Sequence, residues 1–194
     1  MNKVPNSLFI DSSAWISFLI PTDSNYLKSV AIFQSFTKET RIFTSLFVID
    51  EIITKIRRTL DQNETNKFYR QLTILEKKKA VRILAVGKAI VTQAINLLQK
   101  YPTPNTLTLT DATNIVLMKK FKISALFTFD RDFNKFKSPN LILINWSFQL
   151  NLKSNMLPRL FWRLLQGLPL QISKLDFRLT YRLLSILYEK WSFK

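Results

Sequence analysis

Five short apolar runs punctuate the chain: Leu8-Phe9-Ile10, Arg41-Ile42-Phe43-Thr44, Val81-Arg82-Ile83-Leu84-Ala85, Ala125-Leu126-Phe127-Thr128 and Leu141-Ile142-Leu143-Ile144. They are too short for helices and read as buried strands. Between them, helical stretches are predicted over about 13–20, 25–38, 46–60, 63–77, 87–100 and 111–121. Strands alternating with helices predict an α/β domain with a mostly parallel central sheet. In such sheets functional groups gather outside the carboxyl ends of the strands. The residue after each strand is therefore where chemistry is expected.

The pattern changes near the end of the chain, which divides into a domain over 7–146 and a tail over 147–194. In the tail Leu175, Leu179, Leu183, Leu187 and Trp191 recur every fourth residue, with Lys174, Arg178 and Arg182 in a row beside them. This predicts a basic amphipathic helix, opened by the weak capping pair Ser173 and Asp176. Phe161, Trp162, Phe177, Tyr181, Tyr188 and Phe193 add aromatic surface. Three readings are open for it: packing on the domain or a dimer mate, peripheral contact with an anionic membrane surface, and either RNA binding by the tail or a poorly folded extension. No run of about 18 apolar residues predicts a membrane-spanning helix. The apolar stretch Leu8–Ile20 is broken by Asp11, Ser12 and Ser13 and is followed by no small-residue cleavage site, so it reads as strand and helix rather than a signal peptide.

Composition narrows the chemistry. The 194 residues are 47% hydrophobic, enough for one domain and an appendage. Lys and Arg number 29 against 13 Asp and Glu, a net charge of +16 that favours a polyanionic partner, nucleic acid or an anionic membrane. With no Cys there is no thiolate metal site or Cys nucleophile, and with no His there is no Ser-His-Asp triad. Gly87 and Gly167 are the only glycines, too few for a phosphate-cradling loop. Carboxylates, hydroxyls, Lys and Tyr remain, and carboxylates suit Mg²⁺ or Mn²⁺, hard cations that take oxygen ligands. The absence of Cys fits a reducing compartment, and the cytoplasm is the expected location.

The acids fall where the sheet argument directs attention. Asp11 follows the first strand, Asp130 and Asp132 follow the fourth, Asp111 opens a helix, and Glu51 lies in the helix after the second strand. Each has an ordinary structural reading. Asp11 ends a strand before a helix that Ser12 or Ser13 would cap. Asp111 suits a first turn, and Glu51 stands at i, i+4 from Lys55. Asp130 and Asp132 suit a turn, and Asp50 is expected to face solvent. Taken together they are harder to dismiss. Several carboxylates embedded in apolar sequence at one sheet rim would repel each other unless a divalent cation sits between them.

The series Phe9-Ile10-Asp11-Ser12-Ser13, then Thr44-Ser45 with Glu51 six residues on, then Leu109-Thr110-Asp111-Ala112, then Phe127-Thr128-Phe129-Asp130-Arg131-Asp132-Phe133 resembles a PIN domain, most of all the VapC-type toxins of bacterial toxin–antitoxin pairs. The resemblance covers about residues 7–146. It implies a three-layer α/β/α, Rossmann-like sandwich. It also implies an Mg²⁺- or Mn²⁺-dependent endoribonuclease that leaves 5′-phosphate and 3′-hydroxyl ends. The implied acidic cluster is Asp11, Glu51, Asp111 and Asp130, with Asp132 as an accessory acid and Thr128 supplying a supporting hydroxyl. A homodimer and a cognate antitoxin are implied as well. Two departures stand out. Thr113 and Asn114 occupy positions where many members carry small residues, and Asn114 is placed one turn beyond Asp111 to face the site. Phe121-Lys122-Ile123-Ser124 stands where many members have a Gly before the fourth strand.

RNA contact is expected from Lys55, Arg57 and Arg58, from Lys119 and Lys120, and from Arg131. The alternatives are a PIN-fold nuclease of RNA processing with no toxin role, and a non-catalytic protein that binds RNA or a membrane surface. The signature of the last would be a missing acid, and none is missing.

Overall fold

The computed structural model describes residues 5–37, 39–102, 105–135 and 141–144. Its strands are β1 (Ser7–Ile10), β2 (Arg41–Ser45), β3 (Val81–Leu84), β4 (Ala125–Phe127) and β5 (Ile142–Ile144). They form one sheet in the order β3-β2-β1-β4-β5, every pair parallel. The helices are α1 (Ser12–Leu19), α2 (Tyr26–Gln34), α3 (Leu46–Thr59), α4 (Gln62–Lys77), α5 (Lys88–Lys100) and α6 (Leu109–Lys120). This is the expected three-layer α/β/α sandwich. The basic helix and the domain boundary expected beyond residue 146 lie outside the described residues.

The central strands explain why the apolar runs were so plain. Leu8, Phe9 and Ile10 of β1, and Ala125, Leu126 and Phe127 of β4, are wholly buried, because helices cover both faces of a parallel sheet. The edges are different: Arg82 on β3 and Ile142 on β5 are exposed. Phe33 of α2 packs on Trp15, Phe18, Phe36 and Phe127 with ring centroids 4.2–5.5 Å apart, and so ties α1 and α2 to the sheet. α1 also packs on α3, α3 on α4, and α5 on α6.

Short polar side chains set several helix ends. Ser45 Oγ accepts from Val48 N (3.3 Å) at α3, and Asp61 Oδ1 accepts from Glu64 N (2.8 Å) at α4. α6 begins two residues before its expected start because Thr108 and Asp111 close a reciprocal capping box. The cap of α1 is Asp11 itself rather than Ser12 or Ser13. α2 stops at Gln34 instead of reaching 38. There the Ser35 hydroxyl turns back to Ile32 O, and Thr37 N donates to Thr40 Oγ1 at 3.1 Å, local bonds that compete with further helix. Asp50 is exposed, as expected.

Two helices end in a left-handed turn made without glycine. After α4, Lys79 N donates to Glu76 O and Ala80 N to Leu75 O. After α6, Lys122 N donates to Lys119 O and Ile123 N to Met118 O. This is the Schellman pattern, which places the residue after the cap in the left-handed region. Lys79 (φ 60°) and Lys122 (φ 54°) hold that conformation despite their side chains. Lys122 lies in the segment where the sequence resemblance led to a glycine.

Candidate active site

The strand order reverses direction between β1 and β4, so the crevice beyond their carboxyl ends is the switch point at which open α/β sheets place their sites. Asp11 follows β1 there, and Asp130 lies three residues past β4. Asp111 enters from the first turn of α6 and Glu51 from the second turn of α3. Asp11 and Asp111 are buried, while Glu51 and Asp130 are partly exposed.

Asp11 is held by four donors. Its Oδ2 accepts from Ser13 N (3.3 Å), Ser13 Oγ (2.8 Å) and Thr128 Oγ1 (3.0 Å), and its Oδ1 accepts from Asn114 Nδ2 (3.1 Å). The two hydroxyls lie 3.0 Å apart, and each accepts a backbone N–H from the loop after β4. Phe129 N donates to Ser13 Oγ and Asp130 N to Thr128 Oγ1, both at 3.0 Å. With those N–H groups on their lone pairs, both hydroxyl protons are free to point at Asp11. Asn114 Oδ1 in turn accepts from Ser45 Oγ (3.1 Å), the cap of the helix that carries Glu51. One buried chain thus connects β1, α6, the start of α3 and the loop bearing Asp130.

Burial is the main force on both buried acids. It pushes Asp11 up to about 6, against the pull of Ser13, Thr128 and the Ser12 backbone, and the Glu51 charge adds to the rise. Burial likewise pushes Asp111 up to about 6, against hydrogen bonds from the Thr108 backbone and hydroxyl, and the charges of Asp11 and Asp130 add to it. Each buried acid thus feels its acidic neighbours, Asp11 the charge of Glu51 and Asp111 those of Asp11 and Asp130, with no Lys or Arg among the groups that shift either carboxyl. Asp111 Oδ2 is turned to Thr108 N and Thr108 Oγ1, both at 2.8 Å. Among the described residues no three carboxylates are gathered closely enough to enclose an ion as they stand. The chemistry of the set still fits a divalent cation. Its donors are all oxygen, and two of its acids are held above their usual range by burial, with neighbouring acid charge adding to it.

Asp132 behaves differently. Hydrogen bonds from Lys135 Nζ (2.6 Å) and Thr106 hold its carboxyl below the usual range, and its backbone N–H donates to Asp130 Oδ1 (2.8 Å). It steadies Asp130 through the main chain. Lys55, Arg57 and Arg58 are exposed along α3, Lys119 and Lys120 at the end of α6, and Arg131 beside Asp130. Two contributors went unforeseen. In the sequence Ser13 reads only as a cap for α1, and nothing beside Ser45 announces its bond to Asn114. Their position at the carboxyl ends of two adjacent strands is the available signal.

The fold and this crevice define an α/β protein with an acidic site at its switch point. A family model for the PIN domain matches residues 8–138, and the chain belongs to that family. Among solved structures it is similar to VapC20 of Mycobacterium tuberculosis, described as a sarcin-ricin loop cleaving toxin. That match has 22% identity and a TM-score of 0.58, over 66% of this chain and 94% of that one. It is also similar to FitAcB of Neisseria gonorrhoeae (18% identity, TM-score 0.53, 73% and 99% coverage) and to a toxin–antitoxin complex of Klebsiella pneumoniae (16%, 0.51, 70% and 96%). No curated protein matches the chain. No helix among the described residues is long and apolar enough to cross a membrane.

Proposed function

We propose that the chain is a divalent-metal-dependent endoribonuclease, the toxin of a toxin–antitoxin pair. The observation that carries this reading is the pair Asp11 and Asp111, both buried and both pushed up to about 6 beside Glu51 and Asp130. Such a cluster is costly without a cation and suited to one. Asp11 and Asp111 would hold Mg²⁺, or Mn²⁺ in its place, with Glu51 and Asp130 completing the charge. The ion, when bound, supplies Lewis acidity at the phosphoryl group and acidifies water.

The protein's own work is positioning. Ser13 and Thr128 fix the direction of the Asp11 carboxylate, and Asn114 holds its other oxygen. Thr108 anchors Asp111, and the Asp132 N–H anchors Asp130. The exposed bases on α3, at the end of α6 and at Arg131 would hold the RNA backbone, which is reached most readily in single-stranded or looped RNA. The toxin role draws support from the structural neighbours, whose descriptions name toxins and toxin–antitoxin complexes. An antitoxin and a second copy of the chain are the expected protein partners.

Incubation of a mixed RNA pool with the full chain in Mg²⁺, Mn²⁺ or EDTA, beside Asp111→Asn, tests the chemistry. Metal-dependent cutting that vanishes in the variant is expected; cutting that survives in EDTA or in the variant refutes it. Expression without a partner should arrest growth, and unimpaired growth by a chain that cuts RNA in vitro would leave the nuclease and remove the toxin.

A further inference from the structure

α5 and α6 pack on each other, yet leave an open cavity of about 700 Å³ between them. That is the size of small-ligand sites, which run from about 300 to 1,000 Å³. Its floor is apolar, made by Ile90, Leu97 and Val116. Its walls are not. Lys100 from α5 and Lys119 and Lys120 from α6 line it, together with the amides of Gln93 and Asn96. No acid lines it. The basic surface continues past its edge, where the Arg82 guanidinium lies 5.3 Å and Lys120 Nζ 5.9 Å from the centroid of the Phe121 ring.

We infer that this groove is a second RNA-binding site, one that holds the phosphate backbone of the substrate away from the bond that is cut. The inference rests on the ribonuclease reading above and adds a place and a set of residues to it. Charge chooses the occupant. Two copies of this chain meeting through the groove would bring their lysines face to face, which is costly. A polyanion meets three lysines there and, among the described residues, no acid. The geometry agrees. Asp111 lies in the first turn of α6 and Lys119 and Lys120 in its last, so the groove's lysines stand roughly 12 Å along the helix axis from that acid. Gln93 and Asn96 would meet sugar hydroxyls or base edges, and the apolar floor would carry a base.

The test uses the full chain carrying Asp111→Asn, so that RNA survives, and a fluorescent single-stranded RNA titrated at several KCl concentrations. Into this are placed Lys100→Gln, Lys119→Gln and Lys120→Gln together. A matched control removes three charges around α4, as Arg70→Gln, Lys77→Gln and Lys79→Gln. Losing three phosphate contacts should flatten the slope of log affinity against log salt by about 2. At 100 mM salt the affinity should fall by roughly one to two orders of magnitude. The control should lose less than half of that slope. If the groove variant keeps the parent's slope, the groove is not an RNA site, while the ribonuclease reading stands. If it keeps the slope but its mass in solution falls from dimer to monomer, the groove belongs to a second copy and the inference is overturned. If the parent binds no RNA and the wild type cuts none, the reading beneath it has failed, and the inference with it.

Discussion

Replacing Asp11 by Asn should stabilise the metal-free protein at alkaline pH and not at acid pH. The carboxyl stands at about 6 in the fold against 3.8 for an ordinary Asp, so the folded state holds the proton more tightly than the unfolded chain does. The stability contributed by this group is therefore complete below about pH 3.8 and is lost as pH rises through about 6. Roughly two pH units at 1.36 kcal/mol each make that loss about 3 kcal/mol at pH 8. At pH 4.5, between the two values, only about 1 kcal/mol has been lost.

Against this gain stands the rewiring of the hydrogen bonds. An Asn oxygen in the place of Oδ2 keeps Ser13 and Thr128 as donors, but its NH₂ group would meet the Asn114 NH₂. Turning the Asn114 amide over repairs that contact and points its NH₂ at Ser45 Oγ, which leaves the Ser45 proton without its acceptor. One lost bond costs about 1 kcal/mol. The net expectation is a gain of about 2 kcal/mol at pH 8 and about none at pH 4.5. The difference of about 2 kcal/mol between the two is the firmer figure, because the rewiring cost cancels from it. Urea denaturation in EDTA, followed by far-UV circular dichroism at both pH values, measures it. Adding Mg²⁺ at pH 8 should stabilise the wild type and leave the variant behind. Equal changes at the two pH values, or a variant weaker at pH 8 than at 4.5, would show that Asp11 is not the strained acid described.

Two further substitutions probe the supports around it. Asn114→Asp removes the donor to Asp11 Oδ1 and sets a second buried carboxylate against it, so stability should fall by more than about 2 kcal/mol at pH 8 and by clearly less at pH 5; a loss independent of pH in urea denaturation would contradict the contact. Lys79→Gly together with Lys122→Gly relieves two left-handed lysines and should add about 2 kcal/mol, or about 4–8 °C in melting temperature. No gain in a thermal melt would mean that the two helix ends are not held in the Schellman geometry.

The architecture was legible because its strands are buried on both faces. Phe9 and Leu126 stand in contact register at the middle of the sheet, and runs such as Leu8-Phe9-Ile10 leave no polar alternative to a buried strand. Helix interiors were equally plain, whereas helix ends were not. α2 stops early because Ser35, Thr37 and Thr40 bond locally, a competition that periodicity does not register. The two Schellman ends carry Lys where glycine would announce a stop. α6 gave the weakest amphipathic signal for a good reason. Asp111 to Met118 are all buried, polar and apolar alike, so the helix has no solvated face over those two turns.

That buried stretch shows why the acids were readable in sequence and their supports were not. An acid after a strand in apolar surroundings is conspicuous, since burial without a partner is costly wherever it occurs. A serine or asparagine is common in turns and caps, and it declares a role only when its partner is known. Ser13 is a helix-start residue until Thr128, 115 positions later, is placed 3.0 Å away. Asn114 is a polar residue in a helix until Asp11 lies on one side of its amide and Ser45 on the other. The parallel order of β2, β1 and β4 makes those meetings, by setting the ends of three strands from distant parts of the chain side by side. The acids supply charge to the site, and the topology supplies the small polar residues that aim it. A change to Ser13, Ser45 or Asn114 should therefore alter the direction of the Asp11 carboxylate while leaving all four acids in place.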